Sequence, residues 1–488
     1  MMEYIVVFLY LVALLFIFIF SLGQLQLTWY YGKKQRSKRQ RPTAALDQNP
    51  PKVTVQLPIY NELYVVERLI DAIANFDYPS DRLEIQVLDD STDHTHELIA
   101  NKVQQWLAKG IDIKHLTRQQ RTGFKAGALQ FGLEQACGEF IVVFDADFLP
   151  HPDFLKKTLP HFHKPEIGMV QTRWGHLNKD YSMLTRLQAF GLDAHFSVEQ
   201  SGRSQAGSFI NFNGTAGVWR KSCVVDAGGW SADTLTEDLD LSYRAQMKGW
   251  EFSYLEDVVA PAELPVLMPA VKSQQFRWNK GAAETAKKNF WKILTAEWSI
   301  TRKTHALFHL LNSSVFVCLL VAGVLSIPML FIKNAHPEFQ RVFDLGSVFL
   351  IGFFSIAYFY WVANKQMHPQ RAARYFWKIF PSFLTVSMGL SLHNAIAVLE
   401  GFFGFKSPFI RTPKFNIQHS RDELRKNIYL VKKISLSTIM EGLLCLYFVF
   451  GIAAGIYLWD LGLIIFHIML ALGFALVFYQ SVKSVSYA

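Results

Sequence analysis

Cysteine is scarce in this chain of 488 residues. The four present, Cys137, Cys223, Cys318 and Cys445, are widely scattered, two in a hydrophilic region and two in apolar runs. That spacing makes neither a disulfide framework nor a zinc pattern. Histidine offers little more: His94/His96 and His161/His163 form two His-x-His pairs, but no third ligand follows at a suitable local spacing, so both pairs are expected on the surface. Charged residues are thin at 18%, against 51% hydrophobic and 15% aromatic, a balance too apolar for a purely soluble protein. The apolar run from Tyr4 to Leu22 has no basic stretch before it and no clear small-residue cleavage site after it, which argues against a secretory signal.

What is present points to a membrane. The same run is long enough to cross about 30 Å of hydrocarbon at roughly 1.5 Å per helical residue. Much of the net charge of +9 sits directly behind it, in Lys33, Lys34, Arg36, Lys38, Arg39 and Arg41. A basic cluster next to a membrane helix reads as a cytoplasmic anchor on anionic headgroups. A nucleic-acid tail would need a matching reader elsewhere in the chain; none is found, so nucleic acid is not an expected partner.

Composition then shifts twice. We expect an N-terminal helix and anchor over 1–44, a cytoplasmic α/β domain over 45–300 and a membrane region over 301–488. In the middle part, Val53 to Leu57 reads as a β-branched strand, followed by Val65, Val66, Leu69, Ile70 and Ile73 at helical spacing. Ile85 to Leu88 reads as a second strand and Phe140 to Phe144 as a later one, apolar throughout as a buried parallel strand should be. Asp93 is expected to cap the helix that follows. After Trp298, apolar runs occupy roughly 310–332, 345–363, 376–399, 435–459 and 461–479. If 376–399 crossed the bilayer, the segment carrying Lys406, Arg411, Lys414, Arg421, Arg425, Lys426, Lys432 and Lys433 would lie outside, against the positive-inside rule. That run also holds Ser382, Ser387, Ser391, His393 and Asn394, so it is expected to lie in the interface or re-enter, leaving five true spans.

Four motifs run in order along the hydrophilic part: Asp89-Asp90, Asp145-Ala146-Asp147, Thr236-Glu237-Asp238, and Gln274-Gln275-Phe276-Arg277-Trp278. In open α/β sheets ligands gather beyond the carboxyl ends of the strands, so the carboxylates of the first two motifs can converge. Asp145 and Asp147 offer the hard oxygens that Mg2+ or Mn2+ prefers, and such an ion neutralises the pyrophosphate of a nucleotide sugar. An acceptor hydroxyl needs a carboxylate to take its proton, and Asp238 is the candidate; Asp240 is the alternative stabiliser of the helix start. Arg277 can hold a departing diphosphate by paired hydrogen bonds, and the face of Trp278 can stack on a sugar ring.

With these motifs the chain resembles the processive family 2 glycosyltransferases, the cellulose-synthase-like enzymes. Further stretches look closest to the plant-type mannan and xyloglucan-backbone glucan synthase-like branches: Gln86 to Asp93, Lys125 to Leu129, Phe212 to Arg220, and Gly228-Gly229-Trp230. The resemblance implies a GT-A-type domain set between transmembrane helices. It implies that Tyr60 contacts the base, Asp89 and Asp90 the nucleoside, Lys125 the diphosphate region, and Asp145 and Asp147 the nucleotide and its metal. Asp238 would be the catalytic base; Glu237, Gln274, Arg277 and Trp278 would serve the acceptor end and the leaving group. The reaction would be an inverting displacement that adds one hexose, from GDP-mannose or UDP-glucose, to a β-linked polysaccharide passed outward through the membrane; transfer to a membrane lipid is the runner-up. The membrane would be a bacterial plasma membrane or the Golgi. The segment 409–414, with Phe409, Arg411, Thr412 and Lys414, is similar to the family's gating loop, Arg411 replacing a valine. Bacterial cellulose synthases carry a C-terminal domain that binds a cyclic dinucleotide; the chain ends soon after its last apolar run, so that regulation is not expected.

Overall fold

A computed structural model describes residues 1–36, 49–339, 348–407, 411–419, 421–424, 427–429 and 434–485. At its centre stands a seven-stranded mixed sheet in the order β3-β2-β1-β4-β6-β5-β7. The strands are β1 Val53–Ile59, β2 Leu83–Asp89, β3 Asp112–Thr117, β4 Phe140–Val143, β5 Ile167–His176, β6 Gly217–Arg220 and β7 Glu251–Ala262. β1 is parallel to both β2 and β4, and β2 to β3; β6 runs antiparallel to β4 and β5. Strands β1 and β2 each extend beyond the runs that mark them in the sequence, β1 by Pro58 and Ile59 and β2 by Leu83, Glu84 and Asp89, and both carry buried polar residues among the apolar ones.

That mixture has a cause in the packing. Val53, Val55, Leu57 and Ile59 of β1 point to one face, where the helices Val66–Ala74 and Thr95–Leu107 cover them with Val66, Leu69, Ile70, Ile73, Ile99 and Val103. The alternate residues, Thr54 and Gln56, are buried on the other face and meet Glu84 and Gln86 of β2. Thr54 Oγ1 donates to Glu84 Oε2 at 2.5 Å, Gln56 Nε2 to Gln86 Oε1 at 3.0 Å, and Lys114 Nζ of β3 to Glu84 Oε1 at 2.5 Å. A polar ladder thus runs across three strands; buried polar groups are tolerated when they are paired in this way. The parallel arrangement brings the carboxyl ends of β1, β2 and β4 to one edge, and with them Tyr60, Asp90 and Asp145.

Four helices are long and apolar enough to cross a membrane: Met2–Lys33, Ser314–Ala335, Leu436–Tyr457 and Ile464–Ser484. Their outward faces carry large apolar side chains such as Phe8, Leu446, Phe450 and Ile465, which a bilayer would cover. The run at 376–399 falls on two helices, Ala372–Gly389 and Ser391–Phe403, which bend by 50° at the break between them. The run at 345–363 corresponds to the helix Phe349–Met367, which among the described residues does not meet the same standard of length and apolarity.

A helix of 28 residues, Met268–Thr295, joins the two regions and carries the Gln-x-x-Arg-Trp motif. Its Lys272 forms a buried ion pair with Glu441 at 2.6 Å, and the side chain of its Gln275 accepts from Asn394 Nδ2 at 2.9 Å. Buried charges that meet only each other are position-sensitive, because removing one strands the other. The motif helix is therefore tied to the membrane helices by polar contacts.

Cys137 is exposed, Cys223 is buried, and Cys318 and Cys445 are half-buried in apolar helices. The expectation of a cytoplasmic α/β domain predicts that a membrane-impermeant maleimide leaves intact cells unlabelled and labels Cys137 once they are permeabilised, with Cys137→Ser removing the signal. Labelling of Cys137 in intact cells would reverse the orientation.

Candidate active site

The cleft at the carboxyl edge of the sheet has two adjoining lobes of about 680 and 900 Å³, counting their open mouths. Lys125, Asp145, Arg277, Thr412 and Lys414 line both. Tyr60 and Asp90 lie in the first lobe; Asp147, Glu237, Asp238, Gln274 and Trp278 lie in the second.

In the first lobe Asp90 takes a two-pronged contact from Arg118, Nε to Oδ1 at 3.0 Å and the second nitrogen to Oδ2. The Arg121 guanidinium sits 3.3 Å from the centre of the Tyr60 ring. Sequence reasoning passed over both arginines; they follow β3 in a stretch that has no motif of its own. Asp89 does not reach this lobe. Its carboxylate turns to the opposite side, where His96 Nδ1 and His115 Nε2 approach Oδ2 at 2.7 and 2.9 Å and Ser91 N donates to Oδ1 at 2.8 Å. The expectation of a nucleoside contact from Asp89 is corrected on that ground: neighbours on a strand end face opposite ways, so only one of the Asp89-Asp90 pair meets the cleft. His96 is exposed, as expected, and its imidazole belongs to a three-residue cluster that brings in His115 from β3. Asp93 behaves as a cap, its Oδ1 accepting from Thr95 N at 3.0 Å.

Between the lobes, charge is closely matched. Lys125 Nζ donates to Asp145 Oδ1 at 2.6 Å and to the Gly214 carbonyl at 2.9 Å, and lies 3.7 Å from Glu237. Burial alone would make this ammonium easier to deprotonate, but Asp145 and Glu237 outweigh it and raise its pKa above the ordinary lysine value. Asp145 N donates to Thr215 Oγ1 at 2.9 Å, which fixes the turn that carries the motif. Asp147 Oδ1 is buried and receives no hydrogen bond among the described residues; the Lys414 ammonium is its ion-pair partner at 2.5 Å. A buried carboxylate oxygen that meets only one ammonium, beside a second carboxylate two residues away, fits a hard divalent cation. To take one at Asp147 Oδ1, the site must release Lys414; Lys125 occupies only Oδ1 of Asp145.

Asp238 is the second residue of the helix Glu237–Met247 and has no arginine or lysine bonded to it among the described residues. Its Oδ1 accepts from Leu239 N at 2.8 Å. Burial first, then the neighbouring Glu237, push its pKa up to about 7, with Lys125 pulling the other way. That range suits a group that must accept a proton at neutral pH. Glycine is required opposite it: Gly214 has φ +80°, and a Cβ there would stand 2.9 Å from Asp238 Oδ2. A second close approach holds this motif to the long helix, since a Cβ on Gly281 would meet Thr236 at 2.5 Å.

On that helix Gln274 and Trp278 are four residues apart and share a face, with Arg277 beside them. The Trp278 ring lies 6.4 Å from Trp174, which in turn lies 5.3 Å from Phe148 and 4.8 Å from Phe196. Trp174, on β5, is a site residue that no motif announced. Across the mouth runs the segment 411–417. Thr412 Oγ1 accepts from Arg277 at 2.7 Å, Arg411 pairs with Glu62, Phe415 N donates to Glu263 Oε1 at 2.8 Å, and Arg68 bridges Asn416 and Glu263. Phe415 and Ile417 are buried with Val266 and Leu267. Phe409, the first residue of the loop-like motif, lies outside the described residues.

Comparisons with known proteins bear on the family and the fold. The family model "Glycosyltransferase like family 2" matches residues 50–281. The chain is 46% identical over 350 residues to the probable glucomannan 4-beta-mannosyltransferase 2 of Oryza sativa subsp. japonica, covering 66% of this chain and 59% of that protein. It is 35% identical over 428 residues to the glucomannan 4-beta-mannosyltransferase 2 of Arabidopsis thaliana, covering 83% and 76%. The chain spans 59%, 62% and 65% of three of the curated relatives from Oryza sativa subsp. japonica. Among solved structures it is similar to the mannosyltransferase PcManGT from Pyrobaculum calidifontis, determined in complex with GDP-Man and Mn2+, with a TM-score of 0.51, 19% identity, and coverage of 80% of this chain and all of that one. At that identity the likeness speaks for the GT-A fold.

The Lys414–Asp147 pair makes a direct prediction. In the absence of nucleotide, Lys414→Ala is expected to tighten Mn2+ binding, measured by calorimetry, by about tenfold or more, since a charged contact is worth about 1.5–3 kcal/mol. Unchanged or weaker binding would show that the metal does not use Asp147.

Proposed function

The chain belongs to glycosyltransferase family 2, among the cellulose synthase-like enzymes, and from that premise we propose that it is a membrane-embedded inverting hexosyltransferase that builds a β-1,4-linked mannan or glucomannan from GDP-mannose. UDP-glucose is the alternative donor for glucan units; the choice of mannose is supported by the names of the relatives. The observation that carries the proposal is the placement of Asp238, a carboxyl whose pKa is raised to about 7, beside the Lys125, Arg277 and Lys414 cations and the aromatic pair Trp174 and Trp278.

The division of labour follows from the two lobes. The nucleoside belongs in the first, with Tyr60 and Asp90; the diphosphate belongs at the shared floor, where Lys125, Arg277 and Lys414 can meet its oxygens. Stacking on Tyr60 requires Arg121 to leave the ring face it now covers. Asp145 and Asp147 would hold Mg2+ or Mn2+, which when bound spreads the negative charge of the leaving diphosphate. The acceptor sugar stacks on Trp278 and points its hydroxyl at C1 of the donor. Asp238 takes that hydroxyl's proton as the new C1–O bond forms; the bond from C1 to the diphosphate oxygen breaks, and the anomeric configuration inverts. Guanidinium and ammonium groups held in place before the reaction stabilise the departing charge with little reorganisation.

The polymer leads away from Trp278, along a helix bonded to the apolar helices, and we assign those to a bilayer with the catalytic domain on the cytoplasmic side. Arg277 bonds to Thr412 and Asp147 to Lys414 across the mouth of the cleft, so the entering diphosphate and cation displace the cleft end of the segment 411–414.

Purified protein given GDP-mannose and Mn2+ is expected to yield a long product that a β-mannanase degrades; a single-sugar lipid, or polymer from UDP-glucose alone, would overturn the substrate reading. Transfer should rise with pH as Asp238 ionises, through about 7, and then level off. Asp238→Asn is expected to lower transfer by about 10²–10⁴-fold with nucleotide binding kept. Turnover retained in that variant places the base elsewhere.

A further inference from the structure

Behind the donor cleft, on the far side of the β2 terminus, Asp89, His96 and His115 converge on one point. Val87 pairs with His115 in the β2–β3 register, and Asp89 follows two residues later on the same face of β2. The helix Thr95–Leu107 packs over that face and brings in His96 from its first turn. The ligand atoms Asp89 Oδ2, His96 Nδ1 and His115 Nε2 all lie within 4.8 Å of one another.

The plain alternative is a carboxylate that accepts two N–H bonds. Here, however, both imidazoles aim at the same oxygen, at 2.7 and 2.9 Å, while Oδ1 is already satisfied by Ser91 N. Two imidazoles and a carboxylate form a donor set suited to a borderline transition ion and unlike the all-oxygen pair at Asp145 and Asp147. Ligands at about 2.0–2.2 Å from a tetrahedral centre stand roughly 3.3 Å apart, so opening the two contacts by about half an ångström admits the ion. Burial grades in the way such a site needs. The Asp89 side chain is 0% exposed, His115 16% and His96 50%, which leaves one side open for a water as the fourth ligand. The hydrogen bond from Ser91 N orients the carboxylate from behind, the usual arrangement for a metal-bound carboxylate.

We propose that Asp89 Oδ2, His96 Nδ1 and His115 Nε2 bind one Zn2+ or an ion of its class, at a site separate from the Asp145/Asp147 pair. The ion clamps the ends of β2 and β3 to the helix that follows. Asp90, the next residue, faces the donor cleft, so the clamp fixes the strand end that presents it. The site stands on its own donor atoms whether or not the cleft transfers mannose.

The test uses the full chain, stripped with a chelator and reloaded with Zn2+ in the presence of excess Mg2+ to occupy oxygen-only sites. Metal analysis is expected to find one Zn2+ per chain in the parent and in Asp145→Asn, and none in His96→Ala or His115→Ala. Co2+ in place of Zn2+ should give the visible absorption of a tetrahedral centre, lost in the same two variants. Zn2+ should raise the thermal unfolding midpoint of the parent and leave that of His96→Ala unmoved; His96 is half-exposed, so its loss does not empty the core. Full Zn2+ content in both histidine variants, no Zn2+ in the parent, or loss in Asp145→Asn alone would each overturn the site.

Discussion

Carboxylates that must work together cannot be brought into one cleft unless cations come with them, and that constraint organises this protein. Asp145, Asp147, Glu237 and Asp238 arrive from two separate stretches of chain and line one lobe. Lys125 answers Asp145 and Glu237, and Lys414 answers Asp147. Asp238 is the one left over, and its raised pKa is the consequence: a buried carboxyl beside other carboxylates favours the neutral form. The same charge balance that permits the fold therefore prepares one group to accept a proton. Every cation in the balance is also in position to meet a diphosphate, so donor binding exchanges one set of counter-charges for another.

Much of this was legible because the chemistry sits where the fold repeats a simple rule. An apolar strand followed at once by acidic residues marks the carboxyl edge of a parallel sheet, and β4 with Asp145 obeys it in full. The Gln-x-x-Arg-Trp spacing puts three candidate side chains on one helix, and all three line the cleft. What escaped was set by packing across strands. Trp174 lies within a strand whose pattern marks only burial, and Arg118 and Arg121 lie in a loop after β3; neither reveals its partner until the sheet order is known. The opposite facing of Asp89 and Asp90 is a register effect, invisible while the two are read as one motif. His115 shows the same limit, since a metal pattern sought by local spacing cannot find a ligand on the neighbouring strand. The ladder of Thr54, Glu84, Gln56 and Gln86 was missed for a related reason: paired polar residues can be as buried as valine.

The helix Met268–Thr295 links the cleft to the apolar helices. Arg277 and Trp278 face the cleft, Lys272 is paired with Glu441 of an apolar helix, and Lys280 is bonded to Glu400, the Phe405 carbonyl and Ser407. Polar contacts placed along one helix hold its rotation and its position along its axis, because a shift of one residue would break all of them at once. On the proposed function, a product that begins at Trp278 would thereby be held in a constant relation to the helices beyond it.

The segment 411–417 has two kinds of hold on the cleft, and they differ in how readily they release. Phe415, Ile417 and the Glu263 contacts bury apolar area and a backbone hydrogen bond that no ligand in the cleft would replace. Thr412 and Lys414 instead bond to Arg277 and Asp147, groups that a diphosphate and a cation would both compete for. Release therefore begins at the cleft end of the segment, while its outer end stays anchored. Arg411 opposes even that movement by pairing with Glu62 and lying 4.3 Å from the Tyr429 ring centre, where a valine could make neither contact. Moving the segment out of the cleft therefore means parting Arg411 from Glu62 as well as Lys414 from Asp147.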